Sequence, residues 1–196
     1  MNIATMITLS RVFIAPFFAY SFMHGYNTGN VVFIWIALIL AGLIELSDML
    51  DGTIARARKE VTDFGKVGDP VADSVSRQTV FLSFMLSGII PLWLYLVFFY
   101  RDAFLQLLRI ICASSGVVLA ARKSGKLKAV LQGIATFGVL FVVLLKLYNP
   151  SSIPDSVLGM HPGFWVMLFP AIYTLLSVID YVIPNRQLIV NMMKKK

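Results

Sequence analysis

The sequence predicts an all-α integral membrane protein of six transmembrane helices, folded as a single domain over residues 1–196. Three observations carry that expectation. Hydrophobic residues make up 58% of the chain and charged ones 14%, with a mean hydropathy of +0.81, more apolar side chain than one water-facing core of this size can hide. Six apolar runs recur, each on the scale of a hydrocarbon core about 30 Å thick. Lys and Arg gather in alternate connections between those runs, the charge bias that orients membrane helices.

The first span runs roughly from Met6 to Met23. No Lys or Arg precedes Arg11, so the run lacks the basic flank of a cleaved leader and is expected to remain a helix. The second, Val31 to Ser47, follows the turn-rich GYNTGN and ends at the charged ARARKEVTDFGK. The third and fourth, Val71 to Ile90 and Leu92 to Ala120, flank a tight turn at Pro91. The fifth, Ala129 to Tyr148, lies between ARKSGK and NPSSIPDSVLGMHPG, and the sixth is Phe164 to Ile183. Basic residues fall after spans two, four and six: Arg56, Arg58, Lys59 and Lys66, then Arg122, Lys123, Lys126 and Lys128, then Arg186 and Lys194 to Lys196. Both termini are therefore expected on the cytoplasmic side. The net charge of +7 becomes a juxtamembrane feature suited to anionic lipid, and no solvated basic domain is left to bind nucleic acid. Cys112, the single cysteine, reads as a small core side chain. His24 and His161 fall in expected outer loops, away from any acid. Arg11 and Arg77 interrupt apolar spans and should face protein; Arg77, one turn after Asp73, is placed to balance negative charge.

Seven of the ten acidic residues lie between Glu45 and Asp73, beside or inside membrane-length segments. Asp48, Asp51, Gly52, Ala55 and Arg56 stand at i, i+3, i+4, i+7 and i+8, one stripe if the second helix continues past Ser47. Asp69 and Asp73 repeat the pattern at i and i+4. Four carboxylates converging near a low-dielectric region are unfavourable unless cations neutralise them. Carboxylates without His or Cys suit hard ions, and two Mg²⁺ or Mn²⁺ about 3.5 to 4 Å apart can clamp both oxygens of a displacement at phosphorus. Gly52 and Gly65 would let a nucleotide approach the backbone. The plainer alternative is that Asp69 caps a helix whose first residue is Pro70, and that Asp48 or Asp51 pairs with a basic residue.

These residues carry a resemblance. Asp48, Asp51, Gly52, Ala55, Arg56, Gly65, Asp69 and Asp73 match the signature D-x2-D-G-x2-A-R-x8-G-x3-D-x3-D of the CDP-alcohol phosphotransferases without gap or substitution. The resemblance implies that family's six-helix fold, a homodimer, two divalent cations, and displacement of CMP from a CDP-linked donor by an alcohol. It implies that Asp48, Asp51, Asp69 and Asp73 hold the metals, that Gly52, Arg56 and Thr62 line the CDP site with Gly65, and that Asp73 takes the acceptor's proton. GDPVAD, the opening NIATMITLSRVFIAPFF with Thr5 and Thr8, RDAFLQLLR and GKLKAVLQ resemble elements of the phosphatidylglycerophosphate synthase branch. That implies CDP-diacylglycerol as donor, glycerol 3-phosphate as acceptor and a bacterial cytoplasmic membrane. Ala4 and Thr5 depart from that branch's Pro-Asn pair, Ile7, Gly68 and Ser74 from its Leu, Leu and Lys, and Asp102 and Ala129 from its Glu and Thr.

Chemistry gives an independent reason to expect basic residues here. A phosphorylated acceptor is a dianion, and Arg109, Lys126 and Lys128, with Arg101 deeper in the fourth span, can form a cationic pocket. Their alternatives are pairing of Arg101 with Asp102 and contact of the lysines with anionic lipid. Two rivals to the acceptor stand: another alcohol, such as inositol phosphate, serine, choline or phosphatidylglycerol, and a divalent-cation transporter, whose acids would spread through the membrane's depth.

Overall fold

The computed structural model describes the backbone of residues 3–58, 63–114 and 123–194, with side chains chiefly within 10–48, 70–112 and 125–180. Six α-helices follow one another: α1 Ile3–Thr28, α2 Val31–Arg58, α3 Asp63–Leu86, α4 Leu92–Ser114, α5 Lys123–Tyr148 and α6 Pro162–Lys194. Helix α1 packs on α2 and α3, α5 on α6 and α2, and α4 on α6 and α3.

Each helix buries a stripe and exposes another that is equally apolar. Ala15, Phe18 and Phe22 of α1 are buried at i, i+3 and i+7, and Ile34, Ala37, Ala41 and Ile44 continue the pattern on α2. Phe22 meets Phe84 of α3 edge-on at 4.9 Å, and Phe81 meets Phe98 of α4 at 4.6 Å. Yet Phe13 and Phe17 are 70% and 66% exposed, and Ile134, Phe169 and Leu176 are exposed as well. An outward surface of this kind is stable against lipid and not against water. This is a membrane protein. Among the described residues, three helices are apolar enough over a crossing length: Val31–Asp48, Gly125–Tyr148 and Pro162–Asp180. The expectation of six apolar crossings is narrowed accordingly, and in α3 and α4 the reason is physical: Asp73, Arg77, Arg101 and Asp102 occupy positions that lipid-facing helices fill with Leu or Val.

Helix ends differ from the apolar runs where local chemistry outweighs hydropathy. Helix α3 stops at Leu86 rather than Ile90, because Gly88 takes a φ of +74° and closes the end with Gly88 N–H to Met85 O at 3.0 Å and Ile89 N–H to Phe84 O at 3.0 Å. Helix α1 runs on through His24 to Thr28 and ends the same way at Gly29, φ +68°, with Asn30 N–H to Gly25 O at 3.0 Å. His24 thus lies on a helix, stacked 5.8 Å from Tyr20 and edge-on to Phe33 at 4.5 Å, and not in a loop. Asn30 Oδ1 then accepts from Val32 N–H at 3.0 Å and caps α2. Helix α3 begins at Asp63, so Pro70 is interior to it and the alternative of Asp69 as an N-cap is set aside.

The two ends of the bundle are chemically distinct. At one, Tyr26 packs near His161, Trp93 on Phe164, and Trp35 Nε1 donates to Tyr148 Oη at 3.1 Å, an aromatic girdle of interfacial type. The charged residues Asp48, Asp73, Arg109 and Lys126 gather toward the other, around one cavity.

Candidate active site

Helices α2 and α3 bring Asp48 and Asp73 together, and α1 supplies the cation between them. Arg11 is fully buried; its Nη1 donates to Asp48 Oδ1 at 2.6 Å and stands 4.0 Å from Asp73 Oδ1. Arg77, also buried, reaches Asp73 Oδ1 from Nη2 at 3.0 Å and lies 3.7 Å from Glu45 Oε1. Its Nη1 donates to Ala129 O at 2.8 Å, tying the cluster to α5. The side chains of the two arginines are 1% and 6% exposed, whereas those of Asp48 and Asp73 are 37% and 33% exposed. The asymmetry decides the geometry: guanidinium groups neutralise the acids from within, and the carboxylates open outward.

They open onto a cavity of about 280 Å³ that is lined as well by Arg101 and Arg109 of α4 and Lys126 and Lys128 of α5. Gln106 Nε2 donates to Pro70 O at 3.2 Å and holds α4 against α3 at its rim. Deeper, Asp102 is 6% exposed; its Oδ1 receives Lys128 Nζ at 2.6 Å and Arg101 Nη1 at 2.9 Å. Arg101 also donates to Ser177 of α6. Acidic and basic side chains lining one cavity suit a substrate pair in which metal-bound phosphates meet a second anion.

The family model of the CDP-alcohol phosphatidyltransferases matches residues 1–176. The chain belongs to this family. It is 34% identical over 157 residues to the CDP-diacylglycerol–glycerol-3-phosphate 3-phosphatidyltransferase of Treponema pallidum, covering 74% of this chain and 70% of that one. It is 30% identical to the enzyme of the same name from Mycoplasma genitalium, covering 92% and 82%, and 28% identical to that from Bacillus subtilis, covering 94% and 95%.

For a CDP-alcohol phosphatidyltransferase the acidic wall is the part to test against divalent cations. Its donors are carboxylates alone, the hard oxygen set that Mg²⁺ or Mn²⁺ takes, and Asp48 and Asp73 are accessible from the cavity. The residues fit. Among the described residues no three His, Cys, Asp or Glu side chains assemble as a metal site. Asp51 and Asp69 lie on α2 and α3, one helical turn from Asp48 and Asp73, but their side chains are outside the described ones, as are those of Thr5, Thr8, Arg56 and the positions Gly52 and Gly65. Thr62 lies outside the described residues altogether. Of the basic set, all four line the cavity, but Lys128 is also tied to Asp102, and the two alternatives for Arg101, carboxylate pairing and cavity lining, hold at once. Sequence reasoning gave Asp102 only the role of a partner; its place among apolar residues was the available signal. Glu45, 3.7 Å from Arg77, and Ser177 carried no motif.

Proposed function

We propose that this phosphatidyltransferase transfers the phosphatidyl group of CDP-diacylglycerol to the 1-hydroxyl of sn-glycerol 3-phosphate, giving phosphatidylglycerol phosphate and CMP in phospholipid biosynthesis. The observation that carries the reading is that the carboxylates of Asp48 and Asp73 and the cations of Arg101, Arg109, Lys126 and Lys128 line one and the same cavity. The names of the relatives point to the same donor and acceptor.

In this reading Asp48, Asp51, Asp69 and Asp73 would hold two divalent cations, Mg²⁺ or Mn²⁺, which neutralise the donor's pyrophosphate and the departing CMP. Gly52, Arg56, Thr62 and Gly65, with Thr5 and Thr8, bind the nucleotide. Arg101, Arg109, Lys126 and Lys128 bind the acceptor's phosphate. Asp73 accepts the hydroxyl proton as that oxygen attacks the β-phosphorus, and the bond from this phosphorus to the bridging oxygen breaks, so that CMP leaves with the bridge. Asp73 then returns the proton to water. Arg77 keeps the Asp73 carboxylate in place through the contact at 3.0 Å.

Membrane placement follows from the same reading. Helices α1, α3 and α4 have 26, 24 and 23 residues, about 35 to 39 Å of helix, enough to accompany the three apolar helices across the bilayer as a six-span domain over residues 1–196. The bias of Lys and Arg toward alternate connections supports a site and both termini facing the cytoplasm, and the resemblance suggests the inner membrane of a bacterium. The donor's acyl chains then stay in lipid while glycerol 3-phosphate arrives from water. The resemblance to homodimeric enzymes makes a homodimer the expected assembly.

An acceptor screen tests the proposal. Purified protein with CDP-diacylglycerol and Mg²⁺ or Mn²⁺ should release CMP with glycerol 3-phosphate at least about tenfold faster than with inositol phosphate, serine, choline or phosphatidylglycerol, a margin of about 1.4 kcal/mol. Faster turnover with any of the others would reassign the acceptor. Asp73→Asn should lower turnover by about 10² to 10⁴ in a protein that still folds; near-normal activity would remove Asp73 from its role.

A further inference from the structure

Ser177 of α6 lies just beyond the segment matched by the family model, residues 1–176, and is 3% exposed. Its hydroxyl is oriented by its own backbone: Oγ donates to Thr174 O at 2.7 Å. A serine hydroxyl has one hydrogen, so with that hydrogen committed only its lone pairs remain. Both are used by one partner. Arg101 donates to Ser177 Oγ from Nε at 3.2 Å and from Nη2 at 2.9 Å, gripping the oxygen along the side edge of its guanidinium. Nη1 donates to Asp102 Oδ1 at 2.9 Å. Thr174 is itself held, receiving Gln132 Nε2 on Oγ1 at 3.0 Å. The guanidinium plane is thus fixed from α6 and from α4 together, and Arg101 also lines the cavity.

We propose that Ser177 is a positioning residue for acceptor recognition: it holds Arg101 in the plane that presents N–H groups to the acceptor's phosphate, so α6 sets acceptor affinity without touching substrate. The inference rests on the reading of the acceptor as glycerol 3-phosphate. An arginine without a fixed plane samples many rotamers, and ordering it at the moment of binding weakens affinity. The donor's nucleotide, which the proposed function gives to other residues, does not depend on this constraint.

Ser177→Thr and Ser177→Val test it as a pair, because the two side chains have the same shape and differ in the hydroxyl. The wild-type protein first establishes saturable turnover of glycerol 3-phosphate; its absence would overturn the functional reading itself. Given that turnover, Ser177→Val should raise KM for glycerol 3-phosphate about tenfold, leaving kcat and KM for CDP-diacylglycerol within about twofold, and Ser177→Thr should stay near wild type. In an Arg101→Lys background, which lacks the planar fork, Ser177→Val should add nothing further to KM. Equal KM for the Thr and Val variants, a parallel rise in KM for both substrates, or an undiminished effect in the Arg101→Lys background would each overturn the role of Ser177 while leaving the function standing.

Discussion

Asp102 receives two cationic side chains on one oxygen, Lys128 at 2.6 Å and Arg101 at 2.9 Å, where little water reaches. Breaking a buried ion pair by removing one partner leaves uncompensated charge and costs about 3 to 5 kcal/mol, far more than the loss of an exposed bridge. Asp102→Asn should therefore destabilise the protein by about that amount, measured as a lowered midpoint of thermal unfolding in detergent; an unchanged midpoint would mean the cations find other partners. The placing of Asp48 and Asp73 at one site was legible because i, i+3 and i+4 spacing is a local property of a helix. The local pairs Arg77–Asp73 and Arg101–Asp102 were legible on the same ground; the long-range contacts were not. Arg11 and Asp48 are 37 residues apart, and Arg101 and Ser177 are 76 apart, so their meeting depends on helix packing that no spacing encodes. Sequence reasoning assigned neutralisation of the acids to metal, with Arg77 as a helper; the fold adds Arg11 from α1 as a second buried counter-charge.

Helices were legible at the level of existence and order, and less so at their ends. Hydropathy follows what a side chain prefers to be solvated by, whereas a helix ends where a glycine at positive φ closes it, as at Gly29 and Gly88. Helix packing also leaves a mark on single glycines. A Cβ on Gly25 would lie 2.9 Å from Phe33 Cβ and 2.9 Å from Ile34 Cδ1, whereas one on Gly42 would meet nothing within 4 Å. Alanine improves helix propensity by about 1 kcal/mol at either site, but at Gly25 overpacking of about 1 to 3 kcal/mol opposes it. Gly25→Ala should therefore lower the unfolding midpoint and Gly42→Ala should not. His161, at the α5–α6 connection, offers a pH test. Its Nδ1 accepts from Gly163 N–H at 3.0 Å, and burial, aided by the charge of Lys146, holds its pKa below the usual imidazole value. The unfolded chain then takes the proton first as pH falls, so stability present above about pH 6.5 is lost progressively below it, until the folded state protonates too. The His161→Gln variant should lose less stability than wild type over that interval.

At the scale of the molecule, the lipid-facing girdle, the arginine-backed acids and the basic wall form one arrangement. Its apolar exterior keeps the bundle in the bilayer, while charges too costly for lipid are held inside by one another and face a cavity. Acids gathered on one side fit chemistry at an interface; a transport path would distribute them through the depth. The most direct measurement follows CMP and phosphatidylglycerol phosphate formed by the purified protein from CDP-diacylglycerol and radiolabelled glycerol 3-phosphate, with Mg²⁺ or Mn²⁺ and again after thorough chelation. Equimolar products that appear with the cation and vanish without it are the predicted result. Undiminished CMP release in the chelated sample would contradict the account.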